Sequence, residues 1–171
     1  ADEALKLKTS RNWYRKLALA HAEALVVPSR QLEEIALTAW SQPRGKVHRI
    51  ANGIQTSDYN RKAKPDALPR VIKRPEESWL GTIAGLRPVK NLPRLVRAFS
   101  HLPEHWQLVI LGEGPEREAI MAEAMRLDVV YRVHMPGFIA EPAKIIGLFD
   151  LFALSSDSEQ FPISVVEAMA A

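Results

Sequence analysis

The sequence predicts an α/β fold built on a parallel sheet covered on both faces. Two observations predict it. From Trp79 onward, four strand-like runs alternate with four helix-like runs, the order that yields parallel pairing through crossover connections. The strand-like runs are rich in Val, Ile and Leu, as strands buried on both faces are. Such sheets bind ligands at the carboxyl ends of their strands. The candidate loops are therefore those after Leu86, Leu111, Met135 and Leu154, where the unusual residues gather.

Composition sets the frame. With 171 residues, 47% hydrophobic and 25% charged, the chain has an ordinary globular composition, enough for one sizeable domain or a domain plus part of another. The absence of cysteine excludes a disulfide framework and a thiolate metal site. No apolar run approaches the roughly 20 residues of a membrane span, and nothing resembles a signal peptide. The net charge of +3 hides an asymmetry: residues 1–77 carry 15 Lys/Arg against 9 Asp/Glu, and residues 78–171 carry 8 against 11.

The elements follow in order. "NWYRKLALAHA" has helical spacing, "EALVVPS" is a short strand stopped by Pro28, and "QLEEIALTAW" is a helix with Ser29 as its N-cap. "KVHRIANGI" reads as a strand running into an Asn-Gly turn. Residues 61–74, with six basic residues and two prolines, read as a linker or surface loop. Then come "WLGTIAGL", "WQLVILGEG", "YRVHMPGF" and "DLFALSS" as strands, separated by "LPRLVRAFSHL", "PEREAIMAEAMRL" and "EPAKIIGLF" as helices, with a final helix over "PISVVEAMA".

Three loops carry chemistry. "GLRPVKN" sets Arg87 and Lys90 beside a helix start near Asn91, which suits a phosphate group; two solvated surface charges are the alternative. "LGEGPER" lacks the third glycine of the dinucleotide fingerprint and follows the second strand, so Gly112 and Gly114 read as turn formers. In "SSDSEQFPISVVEAMAA", Glu159 lies in the polar loop and Pro162 fits the first helical turn. Glu167 follows about 7.5 Å further along the axis, in a run that reads as a buried helix. A carboxylate buried there without a partner costs several kcal/mol, and the hydroxyls of a sugar or ribose would satisfy both acids.

This closing segment resembles the signature of the retaining GT-B glycosyltransferases of the large group-1 family: a Glu, seven residues, then Glu-Ala-Met-Ala. "VVPSRQLEEI", "RIANGI", "GLRPVKN", "LVILGEGPERE", "VHMPGF" and "DLFALSS" agree in order and spacing, so the resemblance covers roughly residues 9–171. It implies a Rossmann-like sheet, the C-terminal donor-binding domain of a GT-B fold, incomplete at its C-terminus. The implied division is the end of an acceptor domain over 1–50, an interdomain turn and basic loop over 51–77, and a truncated nucleotide-sugar-binding domain over 78–171. It further implies a glycosyltransferase moving a hexose from a nucleotide-diphosphate sugar with retention, this piece alone being inactive for want of an acceptor pocket.

The resemblance also implies residue roles. Lys90, with Arg87 nearby, would hold the donor diphosphate and stabilise charge on it as it departs; Glu159 would meet the transferred hexose, and Glu167 the ribose hydroxyls. Gly137 and Phe138 would lie near the base, and Gln160, Phe161 and Pro162 would line the donor. The chain departs from the family at Gly85, where an Arg is usual, and at Gln160, where Gly is frequent. No cofactor or metal is implied. Asp150 and Asp157 form no ligand cluster, Pro103 interrupts any helical pairing of His101 with His105, and His134 reads as a structural histidine.

The implied partners are a nucleotide sugar and a carbohydrate or lipid-linked acceptor. The implied location is cytoplasmic, with peripheral contact at the inner membrane face left open. The basic stretch 61–74 lacks interleaved aromatics, which argues against nucleic acid. A non-catalytic nucleotide-binding module and a GT-B-like sugar-nucleotide epimerase are the alternatives.

Overall fold

The computed structural model describes residues 9–60 and 62–171. They form two compact units: residues up to Gly53 together with Ser158–Pro162, and Ile54–Asp157 together with Ile163–Ala171.

The first unit contains α1 (Thr9–Ala20), β1 (Leu25–Val27), α2 (Arg30–Thr38) and β2 (Val47–Arg49). β1 and β2 pair in parallel with Leu25 opposite Val47, and Val27, Ala36, Trp40 and Val47 form their core. Ser29 caps α2 as expected, its Oγ accepting from Leu32 N at 3.2 Å. The carboxyl end of α1 is closed by a cation: Lys46 Nζ donates to Leu19 O at 2.7 Å and Ala20 O at 2.9 Å. The strand expected to run into the Asn-Gly turn ends at Arg49.

The second unit is built on a four-stranded parallel sheet in the order β5-β4-β3-β6, with β3 (Ser78–Ile83), β4 (Trp106–Leu111), β5 (Val133–Gly137) and β6 (Leu151–Phe152). Alternate residues feed opposite faces. Leu80, Leu108 and Ile110 join Leu95, Val96 and Phe99 of α3 (Leu92–Phe99) and Ile120 and Ala124 of α4 (Arg117–Arg126). Trp79, Val109 and Leu111 join Leu68, Ile145 and Leu148. Both faces are covered, as the strand composition predicts, but the second cover is not helical.

One expectation is corrected there and one is refined. The run "EPAKIIGLF" forms two short 3₁₀ turns, Pro142–Lys144 and Ile146–Leu148, instead of a helix. Gly147 and the β-branched pair Ile145 and Ile146 are weak helix formers, and burial of Ile145, Ile146 and Leu148 decides the conformation instead. Residues 62–74, the described part of the basic stretch, form the irregular and mostly exposed loop expected, but the loop is anchored to the sheet. Leu68 is 1% exposed and packs with Trp79 and Val109, while Lys73 Nζ donates to Leu148 O and Asp150 Oδ2, each at 2.6 Å. Burial raises the Asp150 carboxyl, but Lys73 and the Trp79 N–H overcome this and hold it below its ordinary range.

Two further differences are local. β5 begins at Val133 because Val130–Arg132 is a 3₁₀ turn in which buried Arg132 donates to Leu102 O and Pro103 O. Pro136 is accommodated because β5 is an edge strand whose register with β4 shifts between Val109 and Leu111. The final helix, α5 (Ile163–Ala170), has no buried residue; Glu167 is half-buried and Met169 is 83% exposed. The expectation of a buried helix is thus corrected: apolar composition alone does not cover a helix on all sides. No helix among the described residues is long and apolar enough to cross a membrane.

Candidate functional site

The sheet order makes β3 the point at which the chain reverses its direction of travel. β4 and β5 are added on one side of β3, and β6 returns to the other. The crevice beyond the carboxyl ends of β3 and β6 is therefore the topological switch point, where open α/β sheets bind ligands.

The loop after β3 is built by close backbone approach. Ala84 N donates to Leu111 O at 3.0 Å and Leu86 N to Glu113 O at 2.9 Å, so residues 84–86 run beside the end of β4. Gly112 (φ +138°) and Gly114 (φ +155°) are needed there: a Cβ on either would collide with a carbonyl oxygen, that of Ala84 or Leu86 respectively. The two glycines thus act on the neighbouring protein backbone, as turn formers.

A 3₁₀ turn, Pro88–Lys90, then carries the two cations to α3. Arg87 is exposed and Lys90 half-buried. The Arg87 side chain lies back over Gly85, its Nε 3.7 Å from where a Cβ on that glycine would sit. Asn91 precedes α3 in the left-handed region (φ 46°, ψ 48°) and its side chain caps nothing. It donates instead to Asp157, Nδ2 to Oδ1 at 3.0 Å and to Oδ2 at 3.2 Å.

The loop after β6 fixes this turn from the adjacent strand. Ser155 Oγ donates to Lys90 O at 2.8 Å, and Asp157 N donates to Val89 O at 2.9 Å. Arg94 Nη2 meets Asp157 Oδ1 at 2.6 Å. The Asn91 amide, with Arg94, holds the Asp157 carboxyl below its ordinary range although partial desolvation opposes them. Asn91, Ser155 and Asp157 tie down the turn that carries Arg87 and Lys90, which sequence spacing does not signal. In the sequence Asp157 stands out only as an acid outside any metal cluster, whereas in the structure it holds Val89 of the cationic turn together with Asn91 and Arg94.

Gly137 and Phe138 follow the end of β5. Gly137 has φ +99°, Gly112 N donates to its carbonyl at 2.9 Å, and Glu113 Oε1 accepts from Phe138 N at 3.4 Å. Phe138 is 71% exposed. A cavity of about 630 Å³ opens beside Gly137, lined by Arg70, Glu113, Arg117 and His134. His134 is half-buried against Gln107, Nε2 to Oε1 at 2.9 Å, and burial lowers its pKa, which suits a neutral structural histidine.

Glu167 has a partner that no local pattern signals. Its Oε1 accepts from Tyr59 Oη at 2.7 Å, and among the described residues it makes no ion pair. Burial first, and then the Glu167 carboxylate, push the Tyr59 phenol up to about 12. Glu159, Gln160, Phe161 and Pro162 lie between Asp157 and α5, within the stretch Ser158–Pro162 that groups with the first unit. Glu159, Phe161 and Pro162 are half-buried and Gln160 is exposed. Among the described residues no cluster of three His, Asp or Glu could hold a metal ion.

Comparison with known proteins agrees with this architecture. Residues 66–171 match the family of glycosyl transferases group 1. The putative glycosyltransferase EpsF of Bacillus subtilis is 29% identical, over 95% of this chain and 46% of its own length. The N-acetylgalactosamine-N,N'-diacetylbacillosaminyl-diphospho-undecaprenol 4-alpha-N-acetylgalactosaminyltransferase of Campylobacter jejuni is 26% identical, over 85% of this chain and 39% of its own length. The chain thus spans less than half the length of either relative. Among solved structures, Anabaena HepE in complex with UDP and glucose aligns with a TM-score of 0.84 at 20% identity, over 98% of this chain and 47% of that one. Sucrose-phosphate synthase from Thermosynechococcus elongatus aligns with a TM-score of 0.79 at 23% identity, over 99% and 44%. The fold is the parallel-sheet α/β fold of GT-B C-terminal domains. The chain belongs to the group 1 family of glycosyl transferases.

Proposed function

We propose that this chain supplies the donor side of a glycosyltransferase that moves a hexose from a nucleotide-diphosphate sugar to a carbohydrate or lipid-linked acceptor, with retention at the anomeric carbon. The observation that carries the reading is the cationic turn at the switch point, Arg87 to Lys90, whose backbone is held from the next strand by Ser155 and Asp157. Preorganised cations act on the charge that develops as the diphosphate departs, and they cost no reorganisation during reaction.

In this reading Lys90 and Arg87 take the diphosphate, Glu159 the transferred hexose, and Glu167 the ribose diol. Gly137 and Phe138 are assigned to the base, and Gln160, Phe161 and Pro162 to donor binding. The proposed chemistry enlists no cofactor. One solved neighbour, Anabaena HepE, has structures in complex with UDP, with UDP and glucose, and with UDP-glucose, which supports a nucleotide sugar as the ligand class. The proposed place of work is the cytoplasm.

Titration of the whole protein with UDP, GDP, ADP and their sugars tests donor binding, and NMR of the product's anomeric configuration tests retention. Saturable binding of one nucleotide sugar and a product of unchanged configuration are expected. Inversion, or epimerised nucleotide sugar without transfer, would overturn the proposal.

A further inference from the structure

We propose that the Tyr59 hydroxyl is a positioning group for ligand recognition: it fixes one oxygen of the Glu167 carboxylate so that the other is presented to a vicinal diol of the nucleotide. The inference rests on the reading of Glu167 as the ribose-binding acid and adds a residue 108 positions away in the chain.

The geometry carries it. Glu167 stands on α5, whose residues are at most half-buried, so packing alone does not fix its side chain. A mobile carboxylate loses that freedom on binding, which weakens the complex. Tyr59 is different: it is 8% exposed and closes the 3₁₀ turn Thr56–Asp58, its N–H donating to Thr56 O at 3.1 Å. A buried ring on a closed turn is a rigid post. Its Oη donates to Glu167 Oε1 at 2.7 Å, the distance of a well-formed O–H···O hydrogen bond.

The chemistry of the pair is one-directional. With the phenol pushed up to about 12 by burial and by Glu167, Tyr59 stays a donor throughout the neutral range. A phenylalanine would keep the ring and remove only the hydroxyl, whose contact is Glu167. Oε2 of Glu167 has no partner among the described residues, and two adjacent hydroxyls that both donate are the ligand group such a half-used carboxylate fits.

The test is a comparison of nucleotides across Tyr59→Phe. The full chain, wild type and variant, is titrated with whichever of UDP, GDP and ADP binds best and with its 2′,3′-dideoxy analogue, and both proteins are melted without ligand. The proposal expects the wild type to prefer the ribonucleotide. It expects Tyr59→Phe to weaken ribonucleotide binding about three- to tenfold, with dideoxynucleotide binding within about twofold of wild type, the range of one neutral hydrogen bond. An unchanged preference in Tyr59→Phe would overturn the role of Tyr59 while leaving Glu167 as the ribose acid. Equal weakening of both nucleotides with a lowered melting temperature would show Tyr59 to be structural only and also overturn it. A wild type that does not distinguish the two nucleotides would refute the ribose reading itself, and with it this inference.

Discussion

Gly112→Ala is the sharpest probe of how the sheet supports the cationic turn. At φ +138° an alanine sits in a region that only glycine adopts freely, at a cost of order 1–3 kcal/mol. The new Cβ would lie 2.9 Å from Ala84 C and closer still to Ala84 O, so backbone must move. The first bond at risk is Ala84 N to Leu111 O, 3.0 Å, worth about 0.5–1.5 kcal/mol. Together these give a loss of about 2–4 kcal/mol in unfolding free energy. The displaced segment leads directly into Arg87 and Lys90, so nucleotide binding should weaken as well. Urea unfolding and nucleotide titration of the same variant read both effects. Stability within about 0.5 kcal/mol of wild type with unchanged affinity would refute the claim that close backbone approach sets the turn.

Two other substitutions test separate parts of the account. Lys90→Ala should cost the whole enzyme about 2–4 kcal/mol of transition-state stabilisation and more than Arg87→Ala, read as the ratio of kcat/KM values; equal activity of Lys90→Ala and wild type would remove Lys90 from the mechanism. Leu68→Ala should destabilise the chain by roughly 3–5 kcal/mol, because Leu68 is 1% exposed among Trp79, Val109 and Leu111; a loss below about 1 kcal/mol in urea unfolding would refute the anchoring of the 62–74 loop by Leu68.

Much of the sheet was legible because its strands are short apolar runs at regular intervals, from Trp79 through Phe152. Ser29 was readable for a similar reason: an N-cap is a local device. Leu68 was not, since one leucine among six basic residues has no period, and only the uncovered face of Trp79 and Val109 explains why it is buried. "EPAKIIGLF" misled because helical spacing over so few residues, with Gly147 inside, is also compatible with two 3₁₀ turns. At the site, Arg87, Lys90 and Glu167 stood out as charges in unusual company. Their partners did not: Ser155 and Asp157 act on the turn through β6, the strand next to β3, and Tyr59 reaches Glu167 across 108 residues. Long-range pairing leaves no mark in local spacing.

If Glu167 serves a ligand and not the fold, melting Glu167→Gln without ligand alongside nucleotide titration separates the two roles. Glutamine keeps the shape and an oxygen to accept from Tyr59, so the unfolding transition should stay near that of wild type. Nucleotide affinity should fall about fivefold to tenfold, since hydrogen bonds to a charged acceptor are worth roughly 1.5–3 kcal/mol against 0.5–1.5 kcal/mol for a neutral one. A large drop in melting temperature with unchanged nucleotide affinity would contradict the ligand role and make the Tyr59–Glu167 pair a structural strut.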